Sequence, residues 1–166
     1  MNRCLEWAID HYDTNSSEER LSGLWKIYHK QLQANASLLH AYVRTLIRHG
    51  HDTVAEQIIK TQLDMNWDED LVQEYGLLKI DNLPQRTRQS EDWLNHHKDS
   101  AGLLLTLGRL NKHQKLWGKA KSYLESSLSR KPLVGTYAEL AELHEFLDEP
   151  IDAQRCAKKG LHIASR

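Results

Sequence analysis

The sequence predicts an all-α fold, a right-handed α-solenoid of about ten helices, and three observations lead there. Apolar residues recur at spacings of three and four, and no segment sustains the alternation of a strand. Only three prolines and eight glycines interrupt 166 residues. Small side chains also return at a fixed phase. Aligning "LLHAYVRTL", "LVQEYGLL", "LLLTLGRL" and "GTYAELAEL" superposes Val43, Gly76, Gly108 and Ala141, in steps of 33, 32 and 33 residues. A second set, Ala55, Ser90, Ala120 and Ala153, follows the first at distances of 12, 14, 12 and 12.

This double recurrence has a packing cause. Antiparallel helices approach closely only where one offers a small side chain to the other's bulk, and stacked hairpins bury a core that no single hairpin can bury. A helix–turn–helix with a period near 34 residues is the tetratricopeptide repeat. The unit from Ala101 to Val134 fits best, with Leu104, Leu107, Gly108, Ala120, Leu124 and Pro132 in the expected places; Leu104 and Asn111 stand where two aromatic residues are usual. Residues 1–166 therefore read as a single repeat domain, with N-terminal helices in 1–34 and repeats near 36–67, 69–100, 101–133 and 134–166.

Taken in order, the helices fall near 3–12, 17–34, 36–49, 52–64, 68–81, 84–97, 101–113, 117–130, 134–147 and 150–164. Ser16 and Glu19 form a capping box ahead of the second. Gly50 ends the third, and Asp68 caps the fifth. Pro84 and Pro150 suit first turns. "DNLPQRTRQS" carries two extra residues, so an irregular turn is expected there, and the last helix is expected to cap the stack. Among five tryptophans, Trp93 and Trp117 open or line second helices and are expected to be largely buried.

Composition excludes several function classes. Lys and Arg number 22 against 23 Asp and Glu, a net charge of −1 that gives no general pull on nucleic acid or anionic lipid. Mean hydropathy is −0.66, and no run approaches the roughly 18 apolar residues of a membrane span. The opening "MNRCLEWAIDHYD" has no apolar signal core. Cys4 and Cys156 make no metal-binding spacing, and reduced thiols are expected.

"LLLTLGRL…LWGKAKSYLESSL…GTYAELAEL", preceded in order by "LWKIYHKQL", "AEQIIKTQL", "WDEDLVQEYGLL" and "EDWLNHH", resembles the C-terminal repeat region of the HemY family, from about Leu21 to Leu161. The Leu-Trp-Gly-Lys-Ala run at 116–120 is the most specific part. The resemblance implies a soluble piece of a larger bacterial inner-membrane protein. Its two N-terminal spans lie outside this chain, its repeat domain faces the cytoplasm, and it is linked to haem biosynthesis. It implies protein partners, among them haem-biosynthesis enzymes. It supplies no catalytic motif.

The chemistry-bearing residues are read the same way. Ten histidines include His49 and His51 flanking Gly50, and the adjacent His96 and His97. Neighbouring helical histidines point about 100° apart, so they are read as helix-end residues, and no metal or cofactor is expected. The carboxylates of "WDEDL" and "LDEP" are helix-start charges. No nucleophile–base order or phosphate loop stands out, so no enzyme is expected. Direct binding of haem or a porphyrin, and an adaptor unrelated to haem, are the alternatives.

The remaining candidates come from repeat phase. In this architecture the first helices line the concave surface. The positions expected there are His40, Arg44 and Arg48, then Gln73, Leu77 and Ile80. Next come Leu105, Arg109, Lys112 and His113, and finally Glu142, Glu145 and Phe146. The groove is thus expected to be basic at one end, apolar in the middle and acidic at the other, a mixed surface suited to a polypeptide.

Overall fold

The structure, a computed structural model, describes Ile9 and residues 18–165, with side chains at Ile9 and from Gly23 onward. Nine helices occupy the continuous part: α1 (Glu18–Gln33), α2 (Ala36–Arg48), α3 (Asp52–Met65), α4 (Glu69–Tyr75), α5 (Leu83–His96), α6 (Ala101–His113), α7 (Trp117–Arg130), α8 (Val134–Phe146) and α9 (Pro150–Ala164). No strand occurs among the described residues. The expected helix over 3–12 and the Ser16 cap lie outside them, apart from the buried, helical Ile9.

One expected helix is much shorter. The stretch 68–81 is helical only to Tyr75. Asp68 caps its start as expected, its side chain accepting from Asp70 N and Leu71 N. Downstream, the Lys79 N–H donates to Asp52 Oδ1 at 2.9 Å instead of to a carbonyl one turn back. Asp52 is only 8 % exposed, so this bond satisfies a buried acceptor and fixes an extended passage into α5.

The helices gather into two compact units, residues 1–80 and 81–166. In the first, Leu39, Tyr42, Val43 and Leu46 of α2 are buried, as are Ala55 and Ile59 of α3 and Leu71 and Tyr75 of α4. Trp25 stacks on Tyr42 there, with ring centroids 5.8 Å apart. In the second, Leu105, Ala120, Leu124, Leu140 and Leu143 form the centre. Helix α6 is buried at every position from Ala101 to Asn111, as its all-round apolar sequence requires. Trp93 is 7 % exposed. Trp117 is only half-buried: it packs the edge of the core and lies against Phe146, with ring centroids 4.3 Å apart.

The small residues do what their phase implies. Of the eight, seven are buried and Ala141 is half-buried. At Gly108 a Cβ would stand 2.5 Å from Leu124 Cδ2 and 2.6 Å from Leu124 Cγ, so α6 and α7 touch where only a hydrogen fits. A Cβ at Gly160 would lie 3.1 Å from Tyr137 Cβ, a close though less tight approach between α8 and α9.

The turns inside three hairpins are copies of one another. Seven residues after each first small position the backbone is left-handed: φ is 78° at Gly50, 60° at Lys115 and 59° at Asp148. The residue beyond each donates back to the third-last residue of the helix: His51 to Leu46 at 2.9 Å, Leu116 to Asn111 at 2.9 Å and Glu149 to His144 at 2.8 Å. This Schellman pattern satisfies the end carbonyls of the first helix and starts the second without a loop. No such turn follows α4, which stops early.

Candidate functional site

On the first helices, the side chains expected to line a groove meet partners one repeat away. Arg44 Nε donates to Glu74 Oε1 at 2.6 Å, and Arg109 Nε donates to Glu139 Oε1 at 2.8 Å. Both pairs span 30 residues and occupy the same repeat phase, one in each compact unit. His40 Nε2 and Asp68 Oδ2 meet at 2.9 Å, and Lys112 Nζ binds both Glu139 and Glu142, the latter at 2.6 Å. Within each unit, the two first helices are therefore joined by charge.

Burial decides what these contacts are worth. The Arg109, Lys112 and Glu139 side chains are 10, 12 and 15 % exposed, so their loss strands buried charge. Burial pushes the Glu139 carboxyl up, but hydrogen bonds and charge from Lys112 and Arg109 outweigh it and hold the group below the usual glutamate range. Burial pulls the Lys112 ammonium down, and Glu139 and Glu142 more than restore it, to above its ordinary value. Arg44 is 56 % exposed; its bond to Glu74 raises its pKa, yet solvent screening leaves the pair worth at most about 1 kcal/mol. At Asp68, desolvation acts upward, while the Leu71 N–H and His40 bring the carboxyl below its usual value.

This arrangement corrects part of the expected groove. Leu105 is fully buried in the core of the second unit, where a Cβ at Gly135 would stand 3.1 Å from its Cδ2, so it offers no surface to a ligand. Arg109 is 8 % exposed and engaged with Glu139, so it serves the helix contact first. His40 is likewise drawn in by Asp68. Arg48, His113, Glu145 and Leu77 are exposed, Glu142 shows 71 % of its side chain, and Gln73 is half-buried with its amide on Glu69 O and Asp70 Oδ1. Of the flanking positions, Phe146 is 65 % exposed and Ile80 half-buried. The acidic partners Glu74 and Glu139 were the residues sequence reasoning missed. The signal was available: opposite charges 30 residues apart at one repeat phase.

Elsewhere, His144, Glu149 and Asp152 bring their ligand atoms within 4.8 Å of one another. Each is already engaged. His144 Nδ1 meets Glu149 Oε2 at 2.5 Å, Lys121 approaches Glu149 at 3.6 Å, and Arg155 holds Asp152 at 2.9 Å. His144 is the main cause of the lowered Glu149 carboxyl. The group clasps the turn around Asp148, joining the last residues of α8 to the first of α9. Burial pushes the Cys156 thiol up, away from nucleophilic use.

Comparison with known proteins now adds to this geometry. The chain is distantly homologous to HemY. It is 28 % identical over 157 residues to Protein HemY of Escherichia coli strain K12, and equally to those of Escherichia coli O157:H7 and Shigella flexneri. The match takes in 93 % of this chain, which spans only 39 % of the length of those relatives. No protein-family profile matches. Two crystal structures of MamA share the fold, at TM-scores of 0.56 and 0.55 with 20 and 19 % identity. The first alignment covers 91 % of this chain and 95 % of MamA, the second 98 and 92 %. At that identity the likeness is one of fold: an all-α, tetratricopeptide-like packing of helices. No helix among the described residues is long and apolar enough to cross a membrane.

Proposed function

We propose that this chain is a noncatalytic protein-interaction scaffold. In this reading it is the cytoplasmic domain of a membrane-tethered bacterial protein, and its partners are enzymes of haem and porphyrin synthesis. The observation that carries the scaffold reading is the use made of the charged side chains. Arg44, Arg109 and Lys112 hold helix to helix through Glu74, Glu139 and Glu142, in a fold built of hairpins. Side chains spent in this way stiffen each unit, and Arg48 and Leu77 in the first and Glu145 in the second stay exposed to meet a polypeptide. The distant HemY homology supports the choice of partner and the inner-membrane setting. A scaffold of this kind acts by raising the effective concentration of the enzymes it gathers, with no chemistry of its own.

The test uses exposed residues, because reversing Arg109 or Lys112 breaks buried ion pairs. The protein with Arg48→Glu, Leu77→Glu and Glu145→Lys is immobilised beside wild type and exposed to bacterial membrane extract. Enrichment of porphyrin-synthesis enzymes on wild type, lost on the variant at equal helicity, is expected. Equal recovery on both columns overturns the surface assignment, and no enrichment on either overturns the choice of partner.

A further inference from the structure

The second helices of the last two hairpins leave a cleft. Two cavities of about 300 Å³ each open to solvent along α9, the first lined from α7, α8 and α9 and the second from Tyr137 of α8 and the later turns of α9; they share Tyr137 and Lys159. Leu128, Tyr137 and Leu140 supply apolar surface to the first, and Ile163 extends it in the second. Beyond Asp152, the wall from α9 is basic. From Ala153 to Ser165 the helix carries Arg155, Lys158 and Lys159 and no carboxylate. Arg155 is occupied by Asp152 at 2.9 Å, and Lys121 across the cleft by Glu149 at 3.6 Å. Lys158 and Lys159 are exposed and form no ion pair with any described residue.

We propose that this cleft binds a short acidic segment of a partner protein. Its carboxylates meet Lys158 and Lys159, and an apolar side chain enters against Tyr137 and Leu140. Three features select this occupant. Unspent ammonium groups beside an apolar recess match a ligand that alternates carboxylate with hydrocarbon. Glu125 and Asp152 line the first cavity and no carboxylate lines the second, so the free basic charge is confined to one end, which suits a segment with few carboxylates and not the uniform charge of an anionic bilayer. The chain's net charge of −1 gives a nucleic-acid backbone no wider field to follow. The proposal goes beyond the scaffold reading, since it names a different face and stands whether or not the first helices bind anything.

The probe is a fluorescein-labelled peptide of glutamates flanking one Leu and one Phe, read by fluorescence polarisation against the whole chain. Saturable binding is expected, weakening several-fold as salt rises from about 50 to 200 mM. Lys158→Glu with Lys159→Glu is expected to weaken it at least tenfold. Lys98→Glu with Lys131→Glu makes the same charge change at residues lining neither cavity and is expected to leave binding within twofold of wild type. Circular dichroism melts confirm that both pairs fold. Equal binding of the peptide with glutamine in place of glutamate overturns the proposal. So does wild-type affinity in the first variant, an equal loss in the second, or capture of phosphatidylglycerol vesicles without capture of the peptide.

Discussion

Replacing Gly108 by alanine sets two effects of opposite sign against each other, and the structure says which wins. A glycine inside a helix costs about 0.5–1 kcal/mol relative to alanine, so the substitution gains that much in α6. Against this, the new Cβ would sit 2.5 Å from Leu124 Cδ2 and 2.6 Å from its Cγ. Turning a terminal methyl does not clear the second contact. Either the whole Leu124 side chain must leave its rotamer or α7 must shift. Leu124 is fully buried among Leu105, Ala120, Leu140 and Leu143, so no open space receives it. Overpacking of this kind costs about 1–3 kcal/mol, and a rigid site belongs at the upper end. The net expectation is a loss of about 2 kcal/mol, a fall in melting temperature on the order of 10 °C for a unit of this size. Urea titration followed by circular dichroism measures it, with Gly118→Ala as control. Gly118 lies in the first turn of α7 with nothing within 4 Å of its would-be Cβ, so alanine there should stabilise by about 0.5 kcal/mol. A double-mutant cycle completes the test. Leu124→Ala alone should cost about 2–5 kcal/mol. In that background Gly108→Ala should become neutral or stabilising, giving a coupling of about 2 kcal/mol. Additive effects, or a Gly108→Ala melt as high as that of Gly118→Ala, would refute the close contact and with it the packing reason for the repeat.

The other predictions concern charge, turns and ligands. Glu139→Ala leaves Arg109 and Lys112 buried without their shared carboxylate and should cost about 3 kcal/mol in urea unfolding. The folded pKa of Glu139 lies below its unfolded value, so its contribution is complete above about pH 4.3 and is lost as pH falls through the folded value. Wild type should therefore lose more stability than Glu139→Gln between pH 5 and pH 3, and equal losses would show that the carboxylate is not held by charge. Lys115→Gly should stabilise by about 0.5–1 kcal/mol, because φ of 60° strains a residue with a Cβ; an unchanged melt would contradict the left-handed turn. On the scaffold reading, titration with haemin should give no saturable Soret shift; a stoichiometric shift would restore the porphyrin-binding alternative.

Much of the fold was legible because repetition made each unit vouch for the others. Ala55, Ser90, Ala120 and Ala153 are individually unremarked small residues, yet their common phase marked the line along which helices touch, and all four are buried. Gly50 announced its turn by composition. Lys115 and Asp148 adopt the same left-handed backbone without a glycine, and only their distance from Gly108 and Ala141 could have exposed them. The early end of α4 was not legible, because its cause lies 27 residues away in the Asp52 carboxylate that takes the Lys79 N–H. The groove misled for a similar reason. Arg109 and Lys112 look solvent-facing on a helical wheel of α6, and only the next first helix shows that Glu139 waits for them.

The spacing of these ion pairs also bears on where the chain divides. At the phase occupied by Arg44 and Glu74, and again by Arg109 and Glu139, the step between the second and third repeats carries Leu77 and Thr106. Leucine and threonine cannot make a charged contact. The same step contains the two extra residues, the early stop of α4 and the extended passage through Lys79. The irregular connection and the change of residue type at this phase fall where units 1–80 and 81–166 divide.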